Sequence, residues 1–376
     1  MARNPFKFGD PVRDEFYLPR PALSNVVRQF VENQVNIVLI GPRRFGKTSF
    51  ILDTLKGLEG VGRIPIYIDI YNITSHRDFL RMLILKFREK QSWWRKLKDW
   101  FVSIPRLRPK FSLDVDQATG SSSVGMSLSS NLSPDDVKDV IVETLKFLKE
   151  LGPNIVVAFD EFQTITELDD DGWLEATLRS SMQSLHNTTF IFSGSRHRII
   201  NEMLNDSKRP FFRSCQPIDF PSFGPEFTDW VAQRFNSVGM NCDINAVEEL
   251  RKLVQDTPNY VQMACFHLVA KGITNVNISE VKDILKTIVK QNSYAYQTLL
   301  NSLTPIQQRV LRLAAIEQKE IFSKNLLDAY EISSAPALSS AINALKKKQI
   351  LDEGTSRGVV TFDDPLFAIW LKMEFI

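Results

Sequence analysis

Eight residues, Gly41-Pro42-Arg43-Arg44-Phe45-Gly46-Lys47-Thr48, hold the spacing G-x-x-x-x-G-K-[ST]. That spacing suits one chemistry, the cradling of nucleotide phosphates. Gly41 and Gly46 let the backbone fold tightly around an anion where a side chain would collide with it. Amide N–H groups of the loop then form an anion nest. The next helix, over the apolar-periodic stretch Ser49–Leu55, adds its own unpaired N–H groups and partial positive charge. Lys47 reaches the β- and γ-phosphates, and the Thr48 hydroxyl can ligate Mg²⁺. For Arg43 and Arg44 two readings stand, contact with phosphate or solvated loop charge.

A second group lies downstream. Ile155-Val-Val-Ala-Phe-Asp160-Glu161 is an apolar run ending in two carboxylates. Asp160 suits the water-mediated hold on Mg²⁺ beside Thr48, and Glu161 suits a general base that polarises the attacking water. Two rival readings remain: Glu161 as a cap for the segment that follows, and Ile66-Tyr-Ile-Asp69 as the metal strand. The second carboxylate at 160–161 favours the later site. Phe190-Ile-Phe-Ser193-Gly-Ser195 ends another apolar run. Ser195 is the expected holder of the attacking water against the γ-phosphate, with Ser193 as alternative and a helix N-cap as the structural reading.

These groups need a parallel sheet to bring them together. Apolar runs at Val35–Ile40, Ile64–Ile70, Asn154–Phe159 and Thr188–Phe192 alternate with helical stretches such as Phe79–Glu89. Such alternation predicts a parallel sheet with helices on both faces, and continuous rather than alternating runs fit strands buried on both sides. Residues 1–30, carrying Pro5, Pro11, Pro19 and Pro21, read as a strap broken by proline. The pattern is interrupted over about 90–132. There Trp93, Leu97, Trp100 and Phe101 fall at helical spacing among lysines and arginines, and 111–128 has a hairpin's alternation. The basic, Trp-rich helix packs on the core, meets a partner, or lies on a membrane surface; the first two readings carry more weight.

Beyond Pro221 helical periodicity dominates to about 297. Then come helices over Thr304–Ala315, Ser323–Tyr330 and Ser334–Ile350, two short strands around Gly354–Gly358, and a closing helix from Pro365. That order is a winged helix-turn-helix. The predicted fold is thus α/β: a P-loop parallel-sheet ATPase domain (AAA+-like) with an all-α lid and a C-terminal winged helix. The expected boundaries are 1–30 strap, 31–220 P-loop domain with an insertion at about 90–132, 221–297 lid and 298–376 winged helix.

Composition bounds the rest. The 376 residues carry a formal net charge of +2, with 43% hydrophobic and 24% charged side chains. That is the profile of a soluble globular protein with no global field for nucleic acid or an anionic membrane. Cys215, Cys242 and Cys265 lack metal or redox spacing and suit a reducing cytoplasm. The four histidines form no ligand cluster, and neither a signal peptide nor an apolar run long enough to span a bilayer is expected.

The order of these motifs resembles the archaeal-type ATPases of the AAA+/STAND group of P-loop proteins. The matching parts are Asn4-Pro-Phe with Gly9-Asp-Pro-Val, the loop 41–49, Asp160-Glu161, Phe192-Ser-Gly-Ser195, Tyr260-Val-Gln and Asp364-Pro-Leu-Phe-x-x-Trp370. The resemblance implies an ATPase core, a helical lid and a winged helix, rearranged between ATP and ADP states. It implies that the strap around Phe8–Tyr17 contributes to the adenine pocket and that Pro258, after Thr257, faces the nucleotide. Asp256-Thr257 stands where Gly-Asn is usual. Arg209-Pro-Phe-Phe-Arg213 stands where the family has Pro-Leu-Tyr-Gly-Arg, which makes Arg213 the candidate sensor of the γ-phosphate, with an ordinary surface ion pair as the other reading.

The leading expectation is an ATP-hydrolysing, Mg²⁺-dependent switch cycling between ATP and ADP. It would meet a protein partner or a second copy through the winged helix or the insertion. The alternative is an ATP-regulated DNA-binding protein, favoured by Lys346-Lys347-Lys348 and opposed by Asp352, Glu353, Asp363 and Asp364 around the wing. A scaffold holding nucleotide without turnover is the third reading. GTP is disfavoured by the lack of an Asn-Lys-x-Asp guanine motif.

Overall fold

In a computed structural model of the chain, residues 3–103, 133–168, 172–195, 197–317, 320–353 and 360–375 are described. The chain divides into two compact units, Pro19–Pro42 with Lys47–Pro221, and Met1–Leu18 with Arg43–Gly46 and Ser222–Ile376.

The first unit is built on five parallel strands: β1 (Ile37–Ile40), β2 (Ile64–Asp69), β3 (Ile155–Asp160), β4 (Thr188–Gly194) and β5 (Gln216–Asp219), in the order β2-β3-β4-β1-β5. Each position of β1, β3 and β4 is buried, as their unbroken apolar runs require. Edge strand β5 is mostly exposed and carries Pro217, so no hydrophobic pattern announces it in the sequence. Phe159, Phe190 and Phe192 stack with centroids 5.9–6.4 Å apart, and Phe79 extends the stack from the helix His76–Arg88. That helix starts where Ser75 accepts the Asp78 N–H, an N-cap bond.

The Trp-rich helix forms over Gln91–Val102 and buries Leu97 and Phe101 in this unit's core, with Trp100 6.2 Å from Phe147. Its apolar face is therefore spent on packing. The hairpin expected at 111–128 lies outside the described residues. Pro21 departs from the expectation of a broken strap. It opens a 12-residue helix, Pro21–Glu32, because the first helical position needs no N–H and suits proline's fixed φ.

The second unit is helical: Glu226–Asn236, Ile244–Leu253, Pro258–Ala270, Ile278–Gln291 and Ser293–Asn301. A two-residue parallel pair, Asn241–Cys242 with Asn275–Val276, is too short for a sequence signal. Helices Pro305–Ile316, Lys324–Ala329 and Ala335–Lys347 follow, then antiparallel strands Leu351–Glu353 and Val360–Phe362 and the closing helix Pro365–Phe375. One apolar cluster runs through the unit from Phe6 to Leu371. The N-terminal segment is sewn into it. Phe6 packs 4.8 Å from Phe235, Asn4 Nδ2 donates to the Phe266 carbonyl at 3.0 Å, and the Gly9 N–H donates to Asn259 Oδ1 at 3.0 Å.

Candidate nucleotide site

In the sheet unit, the helix Lys47–Glu59 begins directly after the loop that follows β1. Lys47 is buried, and its ammonium donates to the carbonyls of Gly41 at 2.7 Å and Pro42 at 2.8 Å. A buried ammonium needs such acceptors. Gly41 is required by packing as well as by the loop: a Cβ there would sit 2.7 Å from the Cβ of Phe220. Arg44 at φ 64° and Gly46 at φ 90°, which group with the helical unit, adopt the left-handed region from which anion nests are built. Thr48 and Ser49 lie in the helix's first turn.

β1 and β3 are separated by β4, yet Thr48, beyond β1, meets Asp160, the last residue of β3. Thr48 Oγ1 donates to Asp160 Oδ2 at 2.6 Å. The Tyr67 hydroxyl donates to the same oxygen at 3.0 Å, and Asp160 Oδ1 accepts the Glu161 N–H at 3.1 Å. Burial, together with the neighbouring Asp160 charge, pushes the Tyr67 phenol up, so it remains a donor. Asp69 is in register with Asp160, but it is exposed and accepts only the local Tyr71 N–H at 2.9 Å among the described residues. The carboxylate facing Thr48 is Asp160.

A hydroxyl beside a buried carboxylate offers the oxygen ligands a hard divalent cation takes. Among the described residues no cluster of three or more metal-ligating His, Cys, Asp or Glu side chains occurs. Mg²⁺ held here would complete its shell with water and phosphate oxygens.

Glu161 follows at φ 54°, an uncommon conformation for a non-glycine residue. It precedes the 3-10 turn Phe162–Thr164, but its side chain makes no cap hydrogen bond. Its Oε2 instead accepts from Ser195 Oγ at 2.9 Å and from the Gln163 amide. Ser195 thus stands beside Glu161, whereas the Ser193 hydroxyl is buried with no partner among the described residues.

The two downstream arginines part company. Arg209 pairs with buried Glu175 at 2.6 Å, and Glu175 also accepts the Phe211 N–H at 3.2 Å. Arg213 is exposed, with φ 49° and its guanidinium 5.1 Å from the Phe212 ring centre.

In the helical unit, Pro258 is the first residue of Pro258–Ala270, and Thr257 precedes it with no side-chain cap bond. The Asn259 N–H donates to the Arg44 carbonyl at 3.4 Å. The Arg44 guanidinium donates to the Tyr260 hydroxyl and lies 5.0 Å from that ring's centre. Tyr260 donates on to Asp364 Oδ1 at 2.8 Å, and Tyr296 donates to Asp364 Oδ2 at 3.2 Å. Burial and the Asp364 charge push both phenols up. Burial also raises Asp363, against the lowering pull of Arg43 and then Arg44. Arg44 is therefore neither free nor simply solvated. Asp256 is held bidentately by Arg251, at 2.6 and 3.0 Å, which neutralises the acid standing where glycine is usual.

Sequence reasoning passed over Tyr67 and Gln163. A tyrosine inside an apolar strand reads as core, and the only signal for Gln163 was its place two residues after Glu161.

Residues 294–373 match a family described as a probable winged helix domain. No curated protein matches the chain. Among solved structures, the Walker-type ATPase PABY2304 of Pyrococcus abyssi is similar over 96% of this chain and 97% of its own, at 20% identity and a TM-score of 0.66. The ORC2 protein of Aeropyrum pernix, solved in ADPNP–ADP complexes, is similar over 94% and 93% at 14% identity and TM-score 0.53. The ORC1 protein of the same organism, solved in complex with DNA, is similar over 95% and 93% at 15% identity and TM-score 0.50. The chain has the fold of archaeal Walker-type ATPases, an α/β P-loop unit followed by a winged helix. Among the described residues no helix is long and apolar enough to cross a membrane.

Proposed function

We propose that the chain is a Mg²⁺-dependent ATPase whose nucleotide state repositions its lid and winged helix. The observation that carries this is the Thr48–Asp160 contact at 2.6 Å, with Lys47 buried one residue earlier. The loop amides and Lys47 would bind the β- and γ-phosphates. Mg²⁺, when bound, would neutralise charge developing on them. Glu161 would take a proton from water as that water's oxygen bonds the γ-phosphorus and the bond to the ADP oxygen breaks. Ser195 would orient the water, Arg213 would sense the γ-phosphate, and Pro258 would face the nucleotide.

Support for the switch comes from Arg44. A residue of the phosphate loop is linked through Tyr260 to Asp364 at the head of the closing helix. A loop that tightens on phosphate would pull on that relay. The free cysteines suit a reducing cytoplasm. A protein partner, or a second copy, would read the winged helix.

The test is Mg²⁺-dependent ATP turnover by wild type, Lys47→Ala and Glu161→Gln, with binding measured in parallel. The reading predicts turnover by wild type, loss of binding in Lys47→Ala, and binding without turnover in Glu161→Gln. Equal inactivity of all three with wild-type binding intact would leave a nucleotide-holding scaffold.

A second reading, DNA binding through the winged helix, is favoured by exposed Lys347 and Lys348 at the end of Ala335–Lys347 and by the likeness to the ORC1 protein solved with DNA. Affinity falling steeply with salt would support it; no binding at low salt would remove it.

A further inference from the structure

Gln163 is 1% exposed and sits two residues after Glu161 in the 3-10 turn Phe162–Thr164. Its amide Nε2 donates to Glu161 Oε2 and also reaches Ser195 Oγ at 3.4 Å. Ser195 Oγ in turn donates to the same Oε2 at 2.9 Å. One carboxylate oxygen therefore carries two donors, and among the described residues nothing donates to Oε1.

The other end of the amide is set at a cost. Gln163 Oε1 is buried without a hydrogen-bond partner. It lies where a Cβ on Gly194 would be, 2.7 Å away, and Ile200 closes the same space at 2.8 and 2.9 Å. Turning the amide over would place its oxygen against a carboxylate oxygen, so the orientation is fixed. A buried unpaired acceptor works against folding. An apolar residue of the same length would fill the space without that penalty.

The geometry points to Gln163 as a positioning residue for hydrolysis. It clamps Glu161 Oε2, jointly with Ser195, so that Oε1 alone is turned to accept the proton of the attacking water. This rests on the proposed reading of Glu161 as general base. Gln163 acts through Glu161 and Ser195. The left-handed backbone at Glu161 serves the same end, because it folds the carboxylate back toward Gln163 and the end of β4.

The experiment compares Gln163→Leu and Gln163→Met with wild type in ATP turnover, nucleotide affinity and melting temperature. The expected result is a fall in kcat of about tenfold to a hundredfold. KM and ATP affinity should hold, and Tm should be unchanged or higher because the unpaired acceptor is gone. A merely structural glutamine would give the opposite, a lower Tm with kcat per folded molecule retained, and that result overturns the proposal. So does kcat at or above wild type, which would make the clamp an inhibitory hold.

Gly194→Ala supplies an independent disturbance, since it displaces the amide without removing a polar group. It should lower kcat in the same way, and unchanged kcat counts against the clamp. Ser195→Ala combined with Gln163→Leu should cost less than the product of the two single losses, because both act on one oxygen. Glu161→Gln separates the two levels of inference. If it keeps wild-type turnover, the base reading fails and this proposal goes with it. If it is inactive while Gln163→Leu stays fully active, only the clamp is lost.

Discussion

Thr48 Oγ1 and Asp160 Oδ2 lie 2.6 Å apart although the strands that deliver them, β1 and β3, have β4 between them. The pair is assembled by sheet order, not by strand pairing. If it is the Mg²⁺ position, wild type should bind ATP roughly tenfold tighter with Mg²⁺ than with chelator, about 1.4 kcal/mol. Thr48→Ala should bring the two affinities close together in titration calorimetry. An undiminished Mg²⁺ enhancement in that variant would place the ion elsewhere.

The relay from Arg44 through Tyr260 to Asp364 should behave as one unit. Tyr260→Phe removes the hydroxyl that both accepts and donates, with an expected cost of about 1–2 kcal/mol in chemical denaturation. A double-mutant cycle of Arg44→Ala with Asp364→Asn should give a coupling of roughly 0.5–3 kcal/mol. Simple additivity would dissolve the relay into separate contacts.

Arg209 and Arg213 should respond oppositely. Arg209→Ala removes the ion-pair partner of the buried Glu175 carboxylate, which keeps the Phe211 N–H, and should destabilise the protein by about 1–3 kcal/mol. Arg213→Ala, on an exposed side chain, should change stability by less than about 0.5 kcal/mol. As the γ-phosphate sensor Arg213 would still lower kcat; normal turnover in Arg213→Ala would withdraw that role.

Leu97 offers a check on the Trp-rich helix. Its side chain is fully buried in the core of the sheet unit. Leu97→Ala should cost roughly 2–5 kcal/mol, whereas a helix held off the core would tolerate the change.

Local spacing carried the loop 41–48, and apolar runs carried four of the five parallel strands. Both signals are short-range and depend on residue type alone. The fifth strand, Gln216–Asp219, escaped because an exposed edge needs no apolar pattern. The Asp160–Glu161 pair was legible because it ends a buried strand, and its second carboxylate already favoured Asp160 over Asp69; the hydroxyl of Thr48 meets the same residue. Tyr67 and Gln163 were invisible as functional residues, and Tyr260 stood only within a matching motif, without a role. Each acts through a polar tip on an otherwise apolar or turn position, and a tip's partner is set by tertiary structure. The meaning of Arg44 was hidden for the same reason, since its partner lies 216 residues away in sequence.

Beneath Asp160 and Glu161 the stacked rings of Phe159, Phe190 and Phe192 form a base that owes nothing to the polar groups above it. Substituting a polar group at the strand ends would therefore leave that base in place. A lineage could lose Lys47 or Glu161 to drift, keep its architecture, and survive as a pseudoenzyme one substitution away from its ancestor. Shape alone would not tell the two apart; in this fold the difference is written in a handful of side chains beyond the strand ends.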